Sequence, residues 1–349
     1  MNDIHRRLAT WFQSEARAMP WRGSTDPYAI WLSEVILQQT RIDQGTPYFE
    51  RFIASFPTVE TLAAASEDAV LKQWEGLGYY TRARNLHKCA KIVVNEYKGH
   101  FPNTAEALEK LPGIGPYTAA AVASIAFDEP KAVLDGNVMR VLARLYDIAE
   151  PIDMTATRKK LWDLAQKLVP TENPGDHNQA MMELGARICM PKAPRCEVCP
   201  LSDSCLARQR GVVAERPCRR EKKAIPRHEV VIAAIQNNGR YLLGKRPTSG
   251  LLGGLWEFPG GKVKPGESHE QALVREIDEE LSITVAVQGL IASVNHAYSH
   301  FRVTLTVYRC RLVTGTPLPR SHTELKWVRK ADFSKYAFPK ANHKFLDLL

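Results

Sequence analysis

The sequence predicts an all-α domain followed by an α+β domain. Three observations support this fold class. The chain has 349 residues, and one hydrophobic core rarely serves more than about 250, so two domains are expected. Up to about residue 205, apolar residues recur at helical spacing without a convincing strand pattern. Beyond residue 228, short segments rich in β-branched and aromatic residues follow. We therefore expect domains at 1–205 and 228–349, joined by a linker at 206–227.

Individual elements of the first domain have local signals. Pro27 directly follows Asp26, which is the order of an N1 proline after an N-cap residue. Runs of helix formers at 119–126 and 138–145 predict two more helices.

The second domain is expected to combine strands with two helices. Alternating or β-branched segments predict four strands, at 230–235, 241–243, 301–309 and 325–328. Helical spacing predicts one helix at 268–281 and another that closes the chain from residue 340.

Composition and charge exclude several classes of protein. With 44% hydrophobic and 24% charged residues, the chain is neither wholly disordered, nor collagen-like, nor membrane-spanning. Residues 1–19 mix charges with apolar residues and resemble no secretory signal, so a cytoplasmic protein is expected. The net charge of +9 indicates a polyanionic partner, and the linker holds eight lysines and arginines against two glutamates. A solvated linker would explain that cluster equally well.

Four of the seven cysteines lie within residues 189–205, as Cys189, Cys196, Cys199 and Cys205. An odd number of cysteines in a chain without an export signal argues against a disulfide framework. Four thiolates in one loop suit either tetrahedral zinc or an iron-sulfur cluster. Zinc sites usually bring together two close cysteine pairs, and this C-x6-C-x2-C-x5-C spacing has one, which favours the cluster.

A turn with two glycines, Gly113 and Gly115, separates two predicted helices. Backbone N–H groups at the start of the second helix are free to bind a DNA phosphate.

Two carboxylates have contrasting surroundings. On a helix from residue 27, Glu34 shares an apolar stripe with Ile30 and Leu37. A buried carboxyl there has a raised pKa and can act as a general acid, although a partly exposed glutamate paired with arginine is the alternative. Asp135 precedes a helix as its N-cap, whether or not it is catalytic, and cap hydrogen bonds would keep it ionised. Such a pair is typical of glycosidases.

The cysteine spacing and the glycine turn resemble the [4Fe-4S] loop and helix-hairpin-helix of glycosylases related to endonuclease III. Residues 31–40 (WLSEVILQQT), 20–22 (PWR) and 76–80 (GLGYY) further resemble the adenine DNA glycosylases of the MutY family. The resemblance covers essentially the whole chain. It implies a helix-hairpin-helix glycosylase domain with an iron-sulfur loop, followed by a Nudix-like domain, in an enzyme that removes adenine mispaired with 8-oxoguanine or guanine.

The resemblance also implies roles for the catalytic residues. Glu34 would protonate adenine N7, and Asp135 would stabilise or capture the oxocarbenium-like sugar before water attacks, with support from Tyr117 and Asn137. Strand-cutting relatives carry a Schiff-base lysine at the position of Tyr117, so this enzyme would be monofunctional.

Further residues would bind the flipped base and the opposite lesion. Trp21, Arg22 and Glu183 would line the base pocket, Gln39, Thr40 and Leu77 would face the lesion, and Tyr79 would fill the gap in the duplex. Ordinary core packing is the alternative for Trp21 and Tyr79. The expected partner is duplex DNA with an A:8-oxoguanine or A:G mispair. We expect a monomer that binds no membrane and associates with the nucleoid.

Residues 261–283 match eight of the nine specified positions of a Nudix box, with Ser282 in place of the final glycine. Glu276, Glu279 and Glu280 share one helical face, which suits Mg²⁺. An acidic surface helix is the simple alternative. An active site there would hydrolyse oxidised nucleotides such as 8-oxo-dGTP.

Tyr298, Ser299 and His300 resemble the lesion-reading loop of the family, in which Phe-Ser-His is usual. A serine hydroxyl both donates and accepts, so it can distinguish 8-oxoguanine from guanine at N7 and O8. Lesion recognition is therefore favoured over nucleotide hydrolysis. A lesion binder without catalysis is the third hypothesis.

Overall fold

The computed structural model describes residues 3–221, 225–298 and 300–349. It divides into two compact units, Met1–Ala64 with Asn85–Lys222, here called the helical unit, and Ala65–Arg84 with Lys223–Leu349, here called the sheet unit. The sequence suggests one break, at the basic linker. The grouping of Ala65–Arg84 with the C-terminal residues has no signal in the sequence, because its periodicity is helical like that of its neighbours.

The described part of the chain before residue 222 contains helices and no strands. The α-helices of the whole chain are α1 (Asp3–Glu15), α2 (Pro27–Leu37), α3 (Ile42–Ser55), α4 (Val59–Ala64), α5 (Glu67–Gln73), α6 (Thr81–Tyr97), α7 (Ala105–Leu108), α8 (Pro116–Phe127), α9 (Gly136–Leu145), α10 (Thr155–Leu168), α11 (Pro174–Arg187), α12 (Leu206–Gln209) and α13 (His269–Leu281). The three predicted helices are present as α2, α8 and α9. None of these helices combines the length and the apolar character that crossing a bilayer requires.

The core of the helical unit fixes the start of α9. Ala132, Val133 and Leu134 lie between α8 and α9 and are almost fully buried in a cluster with residues of α1, α9, α10 and α11. Burying three consecutive apolar side chains removes the freedom of this short segment. Asp135, which follows directly, is therefore held in place from its N-terminal side.

The sheet unit contains one mixed seven-stranded sheet. Its strands are β1 (Arg227–Asn237), β2 (Arg240–Lys245), β3 (Trp256–Glu257), β4 (Gly260–Lys262), β5 (Thr284–Ala297), β6 (Arg302–Thr314) and β7 (Glu324–Val328). The order is β3-β2-β1-β6-β5, with β4 paired to β1 and β7 paired to β2. Strands β1 and β6 are parallel, and the other pairings are antiparallel.

Both faces of the sheet are covered. Leu273, Ile277 and Leu281 of α13 pack on one face, and an aromatic cluster with Phe258 and Phe338 covers the other. The predicted closing helix from residue 340 is wrong, because the chain forms short 3-10 helices at Asn342–Lys344 and Leu346–Leu348. These tight turns place the aromatic side chain of Phe345 in the core.

Ala65–Arg84 is anchored within the sheet unit by polar contacts. Glu75 Oε1 accepts hydrogen bonds from the Phe338 N–H at 2.8 Å and from His343 Nε2 at 3.1 Å. Lys72 Nζ donates to the Tyr336 carbonyl at 3.0 Å, and the Tyr80 hydroxyl donates to the Phe338 carbonyl at 3.4 Å. The loop at 76–80 is therefore fastened to the C-terminal segment.

The basic linker is partly neutralised by the helical unit. Arg210 and Arg216 both pair with Asp147, at 2.7 and 2.8 Å, and Arg220 pairs with Asp153 at 2.6 Å. The linker is thus less free than a solvated chain, and its last residue already belongs to β1. Residues 222–224, with two of its lysines, lie outside the described part of the chain.

Candidate active site

A cavity of about 790 Å³ opens in the helical unit between α2, the hairpin, α9 and α11. Ten of the residues singled out in the sequence line it: Trp21, Arg22, Glu34, Gln39, Thr40, Gly115, Tyr117, Asp135, Asn137 and Glu183. They come from segments that are distant in sequence, so the fold alone brings them together.

Glu34 lies on α2 with 8% of its surface exposed. Its Oε2 accepts a hydrogen bond from the Tyr117 hydroxyl at 2.6 Å, and it makes no ion pair with a described arginine. Burial raises its pKa to about 7, since the Tyr117 hydrogen bond opposes burial only in part and the charge of Asp135 adds to it. Glu34 is therefore buried in the apolar stripe and available as a proton donor near neutral pH, as expected.

Tyr117 is the second residue of α8. Burial and the neighbouring carboxylates keep its pKa well above the ordinary range, so the phenol remains protonated and donates to Glu34. Because that hydrogen bond occupies Oε2, a proton on Glu34 resides on Oε1. The Tyr117 hydroxyl also lies 3.2 Å from Met182 Sδ, a contact that no motif in the sequence indicates.

Asp135 caps α9, as predicted. Its Oδ1 accepts from the backbone N–H groups of Asn137 at 2.9 Å and Val138 at 2.7 Å, and its Oδ2 accepts from Asn137 Nδ2 at 2.8 Å. Burial nevertheless raises its pKa above the ordinary value, because it outweighs these hydrogen bonds and the charge of Arg140. The pKa values of both carboxyls are thus raised by burial, but only Asp135 has three N–H groups that favour its ionised form.

Arg140 holds Asn137 in place through hydrogen bonds on the side away from Asp135. Its Nη2 donates to Asn137 Oδ1 at 2.9 Å and to the Gly185 carbonyl at 2.7 Å, and its Nε donates to the Cys189 carbonyl at 2.6 Å. Asn137 is therefore held between Asp135 and Arg140, which fixes the orientation of its amide. Sequence reasoning missed Arg140, which shares no motif with its partners.

One wall of the cavity carries a buried ion-pair network. Glu183, which is 2% exposed, accepts from Arg17 Nε at 2.6 Å and from Arg22 Nη2 at 3.2 Å. Although burial acts to raise the pKa of Glu183, the two arginines hold it below its ordinary value. Trp21 is also buried, packing edge-on against Phe49, so it both packs and lines the cavity. Arg17, like Arg140, has no signal in the sequence.

The hairpin turn requires glycine at its first position. Gly113 has φ +78°, and a Cβ there would lie 2.6 Å from Asn85 Cβ. Gly115 is the N-cap of α8 and has no side-chain cap. The first N–H groups of α8 are therefore available to an anion, as the sequence suggests.

The four clustered cysteines lie at the edge of the helical core, where Cys189, Cys199 and Cys205 pack against it. Their thiols are close enough to influence one another, since burial and the charges of the other three raise the pKa of Cys199 to about 11. Arg144 Nη1 donates to Cys189 Sγ at 3.3 Å, which places a cation beside the cluster of thiols. Four soft donors beside a cation suit an iron-sulfur cluster, whose thiolates are negatively charged. Within the described residues, no three His, Cys, Asp or Glu side chains converge on a single ion.

The loop at 76–80 belongs to the sheet unit and exposes Tyr79. Tyr79 is 37% exposed and has φ +50°, between Gly78 at φ +77° and a hydrogen-bonded Tyr80. Trp74 Nε1 donates to the Gly78 carbonyl at 3.0 Å, and Arg82 stacks over the Tyr79 ring. Tyr79 is thus displayed on a rigid loop, whereas Leu77 is buried.

The segment that resembles a lesion-reading loop follows β5. The Tyr298 N–H donates to the Phe301 carbonyl at 2.9 Å, and the two rings lie 4.7 Å apart. Tyr298 is half-buried and His300 is exposed. Ser299 lies outside the described residues.

The Nudix-box carboxylates form ion pairs within the sheet unit. Arg275 pairs with Glu267 at 2.7 Å, with Glu276 at 2.8 Å and with Glu279 at 3.4 Å. Glu280 accepts from the Gly260 N–H at 3.1 Å, and burial raises its pKa to about 7. Glu276, Glu279 and Glu280 therefore do not converge on one point in the described structure.

Comparison with known proteins identifies two successive family domains in the chain. The family model of the HhH-GPD superfamily base excision DNA repair protein matches residues 32–167, and the NUDIX domain model matches residues 230–348. A solved structure of a thermostable thymine-DNA glycosylase is 31% identical, with a TM-score of 0.55, over 59% of this chain and 95% of that chain.

Two curated relatives are similar over nearly the whole chain. The adenine DNA glycosylase of Rattus norvegicus is 36% identical over 98% of this chain and 77% of its own length. That of Buchnera aphidicola subsp. Acyrthosiphon pisum is 32% identical over 97% of this chain and 95% of its own. The chain belongs to the adenine DNA glycosylase family, the DNA N-glycosylases of base excision repair that join an HhH-GPD domain to a Nudix domain.

Proposed function

We propose that this glycosylase removes adenine from A:8-oxoguanine and A:G mispairs in duplex DNA and leaves the strand intact. The observation that carries the proposal is the pair of carboxyls in one cavity large enough for a purine, that of Glu34 buried and that of Asp135 partly buried. A duplex hides adenine in its base stack, so the base must be flipped out to reach them.

Glu34 acts as the general acid. Its neutral form is favoured by burial, and its Oε1 proton is transferred to adenine N7 as the N-glycosidic bond breaks. The bonding electron pair leaves with the base, and positive charge develops on the sugar. Tyr117 stabilises the carboxylate that results, because its hydroxyl donates to Oε2.

Asp135 stabilises the positive charge on the sugar. Three N–H groups favour its ionised form, and Asn137 and Arg140 hold its orientation. Water then attacks the anomeric carbon, and the proton that this water loses passes to the Glu34 carboxylate, which completes the hydrolysis and restores the acid. Since Tyr117 has no amine, no Schiff base forms at that position, which supports a monofunctional enzyme.

The remaining polar groups of the cavity select the substrate. Arg22 and Glu183 are fixed by their ion pair. Together with Trp21, they line the part of the cavity that holds the flipped base. We assign Gln39 and Thr40 of the helical unit to the base opposite adenine, and Gly113 and Gly115 to a DNA phosphate. In the sheet unit, we assign Leu77 to the same base. Tyr79 fills the gap in the duplex, which its exposure on a rigid loop supports.

Tyr298, Ser299 and His300 read the base opposite adenine. The hydrogen bond between the Tyr298 N–H and the Phe301 carbonyl and the exposure of His300 support this role. Nucleotide hydrolysis in the sheet unit has less support, since Arg275 pairs with two of its three glutamates, Glu276 and Glu279.

Cys189, Cys196, Cys199 and Cys205 hold a [4Fe-4S] cluster. When bound, the cluster would cross-link the four thiolates and so stabilise the loop beside α9. Iron analysis should find about four irons per chain together with a broad visible absorption band. Stoichiometric zinc would contradict this assignment. We further propose that the protein acts as a monomer in the cytoplasm and meets its substrate in the nucleoid.

A single-turnover assay with three substrates tests the proposed function. Wild-type protein should release adenine from an A:8-oxoguanine duplex, more slowly from an A:G duplex, and should not hydrolyse 8-oxo-dGTP with Mg²⁺. Glu34→Gln should abolish adenine release. If the protein binds the duplex but releases no adenine, it is a lesion binder without catalysis. If it cleaves only 8-oxo-dGTP, it is a nucleotide hydrolase.

A further inference from the structure

A second, cationic cavity of about 510 Å³ lies in the sheet unit, where β1 begins, β5 ends and β6 begins. Its lining includes Arg227, Arg302 and Lys344, together with His228 and His296, and it includes no acidic residue. Neither the Nudix box nor the lesion-reading loop explains this concentration of positive charge.

Two of the positively charged residues, Arg227 and Arg302, lie opposite each other on neighbouring strands. Arg227 and Arg302 are partners in the parallel ladder of β1 and β6, so their side chains leave the sheet on the same face. Like charges opposite one another destabilise a sheet. In the described part of the chain neither arginine forms an ion pair, and the nearby Glu229 lies 3.7 Å from His269. The pair therefore lacks the anion that would compensate it.

The third cation is held at the same cavity by the backbone. Lys344 Nζ donates to the carbonyl of Asn295, which also lines the cavity. The charges of Lys344 and Lys340 add to burial in lowering the pKa of His296. A positive potential thus extends over the cavity, and a strong anionic acceptor would satisfy it.

Aromatic contacts connect this cavity to Tyr298. The ring of His228 lies 5.6 Å from Phe301, Phe301 lies 4.7 Å from Tyr298, and Tyr298 lies 4.6 Å from His296. An anion in the cavity would therefore lie beside the residues assigned to the base opposite adenine.

We propose that this cavity binds a backbone phosphate of the DNA strand that carries the base opposite adenine. The inference rests on the proposed function, because it places that strand at Tyr298–His300. A phosphodiester fits better than a nucleotide triphosphate. A triphosphate needs a bound divalent cation, and two of the three Nudix-box glutamates, Glu276 and Glu279, are paired with Arg275 instead.

The salt dependence of DNA binding tests the proposal. The affinity of wild type, Arg227→Gln and Arg302→Gln is measured by fluorescence anisotropy between about 50 and 200 mM salt, on duplexes with a non-cleavable adenine analogue opposite 8-oxoguanine or guanine. Each substitution should reduce the slope of log K against log salt by about one. It should also weaken binding to both duplexes by the same factor, since a phosphate carries no base identity.

Arg311→Gln is the matched control, because Arg311 is exposed on the same strand, β6, and outside the cavity. It should leave the slope unchanged, and Arg302→Lys should keep the wild-type slope. Wild-type slopes in both glutamine variants would overturn the proposal. So would a loss of 8-oxo-dGTP binding in these variants with DNA binding intact, because it would identify a nucleotide site.

Adenine release at saturating protein separates this inference from the proposed function. If wild type releases adenine while the slopes stay unchanged, the phosphate site alone is wrong. If wild type releases no adenine from either duplex, the proposed function fails, and the assignment of the cavity to the opposite strand fails with it.

Discussion

Replacing Glu34 by glutamine should make the protein more stable at alkaline pH while removing its general acid. The pKa of Glu34 rises from 4.5 to about 7 in the folded protein, mainly through burial. Between these values the folded state binds more protons than the unfolded state, so the free energy of unfolding falls as pH rises. Below pH 4.5 the carboxyl is neutral in both states and nothing is lost. Above pH 7 the free energy of unfolding has lost its full contribution from this group. The loss is about 3 kcal/mol, because a pKa difference of one unit corresponds to about 1.4 kcal/mol.

Glutamine has nearly the shape of the neutral carboxyl and keeps an oxygen that accepts from Tyr117. Urea unfolding of wild type and Glu34→Gln, followed by tryptophan fluorescence at pH 5 and pH 8, measures the difference in unfolding free energy. The variant should be more stable by about 3 kcal/mol at pH 8 and by about 1 kcal/mol or less at pH 5. Glu96→Gln, at an exposed position of α6, should show no such change with pH. A stability difference between Glu34→Gln and wild type that is equal at the two pH values would refute the reasoning.

Three further substitutions probe the other contacts. Asp135→Asn should abolish adenine release in a single-turnover assay while changing unfolding by about 1 kcal/mol, because asparagine remains a good N-cap; release within tenfold of wild type would exclude its electrostatic role. Glu183→Ala should lower the free energy of unfolding by about 3 kcal/mol, since it leaves Arg22 without its buried partner, and a loss well below 1 kcal/mol would mean the pair is not formed. Glu75→Ala should destabilise the sheet unit by about 2 kcal/mol, because the Phe338 N–H loses its acceptor, and hydrogen exchange at that amide should accelerate; unchanged exchange would contradict the contact.

Local signals in the sequence predicted much of the helical unit. Asp26 and Asp135 are N-caps as expected, and the apolar stripe on α2 correctly placed Glu34 in a buried position. These predictions succeeded because caps and periodicity depend on residues within a few positions of each other.

Contacts between distant residues were not predictable in the same way. Arg17 pairs with Glu183 across 166 positions, and Arg140 reaches the Cys189 carbonyl across 49, so no short pattern connects them. Strand β5 was missed because its register shifts near Gly289 and Leu290 break the alternation. The raised pKa of Asp135 was also missed, because burial depends on the whole core and outweighs the local cap.

The pH dependence of adenine release tests the catalytic role of Glu34 most directly. Single-turnover rates on an A:8-oxoguanine duplex, measured from pH 5.5 to 9 with saturating wild-type protein, should fall about tenfold per pH unit above a midpoint near 7. That loss follows from deprotonation of Glu34, which must carry the proton given to adenine. A rate that stays constant across this range, or rises with pH, would contradict the account.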